Sequence, residues 1–69
     1  MKLSAWNVFK GKVKRIINGV INDEVVITLV DGTEIVSIIT KESMETLKLV
    51  EGKPVYAIVK ASDVMIGTD

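Results

Sequence analysis

Two short clusters, Ser4-Ala5 near the start of the chain and Lys60-Ala61-Ser62 near its end, carry the groups that a small oxyanion needs. Once removed from water, such an anion requires hydrogen-bond donors converging from several directions. Hydroxyls, backbone N–H groups and one positive charge can supply them. Small neighbours such as Ala5 and Ala61 let backbone amides come close. Lys60 is expected to provide the compensating charge, with Ser4, Ser62 and the N–H groups of Trp6 or Asn7 and of Ala61 as neutral donors. On pattern alone the same residues also read as strand ends and a solvent-facing lysine, and both readings stand at this point.

Catalysis finds little support. The chain has no histidine and no cysteine, which removes the ordinary nucleophile and base pairs and the commonest zinc ligands. Its nine carboxylates fall in no acid/base or calcium-loop spacing, and the glycine-rich phosphate loops GxxxxGK[ST] and GxGxxG are absent. The chain is expected not to be an enzyme.

The elements that position these clusters are mostly strands. Leu3 to Val13 is an apolar run with polar interruptions, and Lys10 to Ile17 continues it with β-branched Val13, Ile16 and Ile17. Lys10, Lys12, Lys14 and Arg15 make this stretch basic, read here as a solvated strand face with Lys12 and Lys14 on one side. Asn18-Gly19 marks a turn. Glu24 to Val30 is the clearest strand, with Val25, Ile27 and Leu29 on one face. Asp31-Gly32 predicts a hairpin into Thr33 to Thr40, a strand with no clearly solvent-facing side. Thr40 is placed to cap a helix of about two turns carrying Glu42, Met44 and Leu47, expected to plug one end of the sheet. Pro54 stands at the entrance of a strand from Val55 to Lys60, and Asp63 to Ile66 is expected to add a short final one. The sum is a mostly all-β fold: a small, OB-like, five-stranded Greek-key barrel with one short helix.

Sixty-nine residues make a single domain, and a chain this short buries only about 60% of the surface its unfolded form exposes. Without cysteines, the staple left for so small a core is oligomerisation. A 48% hydrophobic composition agrees, since some of that surface is expected to lie between subunits. No apolar run approaches a membrane span and Met1-Lys2-Leu3-Ser4 lacks a signal-peptide core, so the protein is expected in the cytoplasm with no membrane partner. Nine basic side chains balance nine acidic ones, so any anion site must be local rather than a product of overall charge.

Ser4-Ala5-Trp6-Asn7, then Lys10-Gly11-Lys12-Val13, and later Lys60-Ala61-Ser62-Asp63-Val64 resemble the two signature ends of the molybdenum-pterin-binding (Mop, or molbindin) family. The family opens Ser-Ala-Arg-Asn-x-x-x-Gly-x-Val and closes Lys-[Ser/Ala]-[Ser/Thr]-[Asp/Glu]-Val. Ile35-Val36-Ser37-Ile38 falls where the family tends to have Thr-Ser-Ile. The resemblance spans residues 1–69 as one domain and implies the same OB-like fold. It also implies molybdate, or tungstate as a close analogue, bound between subunits of a hexamer made as a trimer of dimers, for storage or homeostasis of the anion. Carried over by position, Ser4, Ala5, Trp6 and Asn7 with Lys60, Ala61 and Ser62 form the first oxyanion site. Gly19 and Val20 with Val36 and Ser37 contribute to a second, near the threefold axes. Two departures bear on chemistry. Trp6 stands where the family has a bidentate arginine and offers one indole N–H, and Val36 lacks the hydroxyl of the family's threonine. Trp6 also reads as an anchor between subunits.

Two other classes compete. An OB-fold nucleic-acid module stacks bases on aromatics in a basic groove, but this chain has only Trp6, Phe9 and Tyr56, the last two in apolar strand contexts. A purely structural oligomerisation module without ligand is the other, and Trp6 and Val36 are the substitutions that favour it.

Overall fold

The computed structural model describes residues 6–69. The two N-terminal strand signals fuse into one long strand, β1 (Trp6–Asn18), followed by β2 (Asn22–Leu29), β3 (Glu34–Thr40), helix α1 (Lys41–Leu47) and β4 (Pro54–Lys60). All neighbours pair antiparallel in one sheet of order β3-β2-β1-β4. β1 is therefore central, pairing with β2 through its second half and with β4 through its first.

The register shifts between Val13 and Arg15, where β1 carries a bulge. A bulge bends its strand and increases the local twist, which helps β1 serve two partners at once. Beside it, the turn before β4 is tied down: Val13 N–H donates to Lys53 O at 3.0 Å and Gly52 N–H to Val13 O at 2.8 Å. Gly52 takes φ +88°, a backbone state that favours glycine.

Val13, Val25, Ile27 and Ala57 form the buried core, with Ile16, Leu29, Ile35, Ile39, Met44, Leu49 and Val55 packed against it. All but Leu49, which lies in the connection after α1, come from a strand or from α1. Val26, on the opposite face of β2, is also only 1% exposed, with Arg15 and Val36 as its cross-strand partners.

The Asp31-Gly32 hairpin forms as the sequence predicts. Gly32 adopts φ +91°, Leu29 N–H donates to Thr33 O at 2.8 Å, and the Asp31 carboxylate accepts Thr33 N–H at 2.9 Å. Thr40 caps α1, its hydroxyl accepting Ser43 N–H at 3.1 Å. At the other end Lys48 turns left-handed, with φ 52°, and the Lys53 ammonium donates to Leu47 O at 2.6 Å and Lys48 O at 3.1 Å. Met44 packs on the core, whereas Leu47 remains more than half exposed.

The strand count departs from expectation. The sheet has four strands among the described residues, not five. Ala61–Asp63 winds into one turn of 3-10 helix, and residues 64–69 form no regular structure and lie exposed. Wound into that turn, the chain leaves the sheet at Lys60, so Asp63 to Ile66 has no strand beside it to pair with. Among the described residues no strand pairs with the outer edges of β3 and β4.

Candidate functional site

The antiparallel pairing of β1 with β4 brings the two ends of the chain together. Trp6 lies opposite Lys60, Asn7 opposite Val59 and Val8 opposite Ile58. The Asn7 amide Nδ2 donates to Val59 O at 3.2 Å, fastening the pair at its open end. Lys60 then precedes the 3-10 turn with φ −62° and ψ 134°, and Val64 N–H donates to Ala61 O at 3.3 Å. Trp6, Asn7, Lys60, Ala61 and Ser62 thus share one corner of the sheet, and all are exposed. Ser4 and Ala5, predicted to belong here, lie outside the described residues.

This corner has the donors expected of an oxyanion site, namely an ammonium, a hydroxyl and backbone amides. It lacks enclosure within one chain, because every member faces outward. The flanking face is apolar: Trp6 is 43% exposed beside Val8, with Ile58 across from Val8 and Tyr56 two residues further along β4. Exposed aromatic and aliphatic side chains next to polar donors are the composition of a subunit interface.

The second predicted set does not assemble within one subunit. Gly19 and Val20 lie in the β1–β2 turn, whereas Val36 and Ser37 lie mid-strand on β3, opposite Val26 and Val25. The end of β3 nearest the turn is Thr40, which pairs with Asn22. Ser37 lies three residues back from it, about 10 Å along the strand. Val36 and Ser37 also face opposite sides of the sheet. Val20 is 96% exposed.

The Gly19 amide is already engaged. It donates to Asp23 Oδ1 at 3.1 Å, and Lys41 Nζ donates to the same oxygen at 2.7 Å. Asp23 is only 4% exposed. The Lys41 hydrogen bond, with help from the Gly19 amide, holds its carboxyl below the usual carboxylate range against the opposing effect of burial. Sequence reading passed over Asp23; the signal available was an acidic residue two positions before a buried valine run. Gly19 itself is required, since a Cβ there would stand 2.2 Å from Asn22 O.

The basic stretch of β1 is partly neutralised within the chain. Glu34 of β3 receives Lys14 Nζ at 2.6 Å and lies 3.8 Å from an Arg15 terminal nitrogen. The Lys14 hydrogen bond keeps the Glu34 carboxyl below its ordinary range. Lys14 and Arg15 thus turn to one carboxylate, in place of the simple alternation with Lys12 that the sequence suggests.

A surface groove of about 490 Å³ lies elsewhere, bounded by Lys10, Lys12, Thr28, Leu29, Val30 and Pro54. It contains none of the predicted donors. Its lining is mostly aliphatic, and Thr28 Oγ1 is a buried oxygen without a hydrogen-bond partner. Among the described residues no group of three or more Asp and Glu is placed to hold a metal ion, and no helix is long and apolar enough to cross a membrane.

The chain is similar to known proteins along almost its whole length. A TOBE domain family model matches residues 3–66. Molybdenum-pterin-binding protein 1 of Clostridium pasteurianum is 46% identical over 66 residues, covering 96% of this chain and 97% of that one. The solved structure of a molybdate-binding protein from Sporomusa ovata superposes with a TM-score of 0.89 at 37% identity, over 99% of this chain and all of the other. The cytoplasmic molybdate-binding protein ModG, solved with molybdate bound, gives a TM-score of 0.94 at 43% identity. There the whole of this chain matches 49% of the larger one.

Proposed function

The chain belongs to the TOBE domain family, among its molybdenum-pterin-binding members, and on that ground we propose that it binds molybdate between subunits of a homo-oligomer in the cytoplasm. The observation that carries this reading is the placement of Trp6 and Asn7 directly against Lys60, with Ala61 and Ser62 following. Both halves of the family's site motif thereby meet at one corner. Lys60 supplies the charge; Ser62 and the Trp6 or Asn7 and Ala61 amides supply neutral donors, joined by Ser4 and Ala5 from the start of the chain. Because Trp6, Asn7 and Lys60–Ser62 are exposed in a single chain, a neighbouring subunit supplies the walls. Walls of fixed spacing favour molybdate and tungstate over sulfate, which has the same charge and shape but is smaller.

The assembly is a hexamer built as a trimer of dimers, and its role is storage or homeostasis of the anion rather than turnover. Gly19 and Val20 of one subunit and the Val36-Ser37 segment of another would form the second kind of site, since one subunit keeps them apart. With Gly19 N–H already given to Asp23, that site draws on the remaining groups.

Native mass spectrometry with molybdate, and with sulfate as control, tests the proposal. A hexamer that gains several molybdate masses and few sulfates is the expected result. A monomer, or an assembly indifferent to both anions, overturns it.

A further inference from the structure

Asp23 is a carboxylate set among core side chains. It shares a face of β2 with Val25 and Ile27, is only 4% exposed, and stands between Asn18 of β1 and Ile39 of β3. A buried charge persists only where hydrogen bonds and a counter-charge answer it. Here both answers fall on one oxygen: Gly19 N–H reaches Asp23 Oδ1 at 3.1 Å, and Lys41 Nζ reaches it at 2.7 Å. The Lys41 hydrogen bond holds the carboxyl below its usual range, so it stays ionised and in place at neutral pH.

Seen from the donors, the same arrangement is an anion site whose anion comes from the chain itself. A backbone amide and an ammonium converge on a single point, which is the chemistry that holds a small oxygen-bearing anion. The amide's position is set by the chain path as well as by Asp23, since the turn is so tight that a Cβ on Gly19 would stand 2.2 Å from Asn22 O. The ammonium belongs to the residue that follows β3, and its side chain is 46% exposed, against 5% for that of Asp23. Gly19 is exposed as well. Both donors are thus within reach of solvent, while the carboxylate between them is covered.

We propose that Gly19 N–H and Lys41 Nζ are a donor pair for a small oxygen-bearing anion, and that the Asp23 carboxylate occupies this pair from within and thereby keeps the second oxyanion site weak. The last clause rests on the molybdate reading, in which the Gly19-Val20 turn contributes to that site. A tethered carboxylate competes at an effective concentration of about millimolar or more, and its charge repels an arriving dianion. The first site, at the corner of Trp6 and Lys60, therefore fills at lower molybdate than the second.

Chemical rescue tests the donor pair without molybdate. Asp23→Ala removes the carboxylate and leaves space in its place. Formate is expected to restore most of the melting temperature that this variant loses, in a saturable manner, while chloride at equal ionic strength restores none. The parent is expected to be indifferent to formate, and Lys41→Met added to Asp23→Ala is expected to abolish the rescue. An Asp23→Ala chain left unfolded in chloride is expected to fold in formate. Asp23→Asn, which keeps an oxygen for Gly19 and removes the charge, tests the consequence by native mass spectrometry. Its hexamer is expected to take up more molybdate than the parent, with binding about tenfold tighter at the added sites. Where the parent takes up molybdate, an Asp23→Asn hexamer that takes up no more overturns the proposal, as does an Asp23→Ala chain that responds alike to formate and chloride. Formate rescue in a protein that takes up no molybdate retires the molybdate reading and leaves the donor pair standing.

Discussion

Trp6 and Lys60 stand directly opposite one another, the first residue of β1 against the last of β4. The indole occupies the place at which the resemblance implies a second cation. Replacing Lys60 by Met removes a charge-assisted donor from this corner and is expected to weaken molybdate binding by about tenfold to a hundredfold. Trp6→Arg restores a bidentate donor and is expected to tighten it. Isothermal titration on both variants decides the matter, and unchanged affinity in Lys60→Met would remove Lys60 from the site.

Asp23 gives a pH signature. Its carboxyl is held below the ordinary range by Lys41 and the Gly19 amide, so the ionised form stabilises the fold. That contribution is complete above the unfolded value of about 4 and is lost as pH falls through the lower, folded value. Asp23→Asn is expected to lower the melting temperature at neutral pH and to flatten its decline toward acid. Thermal melts between pH 7 and 3 check it; parallel curves for variant and parent would contradict the assignment.

Thr40 caps α1 through its hydroxyl. Thr40→Ala is expected to cost about 1 kcal/mol, or roughly 4–8 °C in a domain of this size. Thr40→Ser, which keeps the oxygen, is expected to recover most of it. Denaturant unfolding followed by far-UV circular dichroism measures both.

Gly11 marks a close approach of β1 to β2. A Cβ there would stand 2.6 Å from Thr28 O and 2.9 Å from Ile27 Cγ2, and the first contact is backbone that cannot swing aside. Gly11→Ala is expected to destabilise by about 1–3 kcal/mol through overpacking, read as a lower urea midpoint. An unchanged midpoint would mean that the strands separate freely here.

Much of the fold is legible in the sequence because its signals are local. The Asp31-Gly32 turn, the Thr40 cap and the alternation of Val25, Ile27 and Leu29 each specify their neighbourhood without help from afar. The β1 bulge is also written there, in the spacing of core-facing Val13 and Ile16 by three positions where a regular strand alternates in twos. What sequence could not give is pairing at a distance. That Asp23 reaches Lys41, or that Glu34 gathers Lys14 and Arg15, depends on which strands lie side by side. The strand expected at Asp63 to Ile66 has the right residues and no strand partner among the described residues. Trp6 and Asn7 lie beside Lys60–Ser62 at one corner of the sheet, whereas Gly19 and Val36 belong to separate parts of one subunit.

The grip of Glu34 on Lys14 and Arg15 bears on how fast an anion arrives. With one of those two charges offset by Glu34 and the chain as a whole neutral, overall charge draws no oxyanion in from beyond the screening length of about 8–10 Å at ordinary ionic strength. An approaching oxyanion therefore meets the protein by unsteered collision. Its capture rate is nearly independent of added salt, and preference among anions resides in how long each one stays.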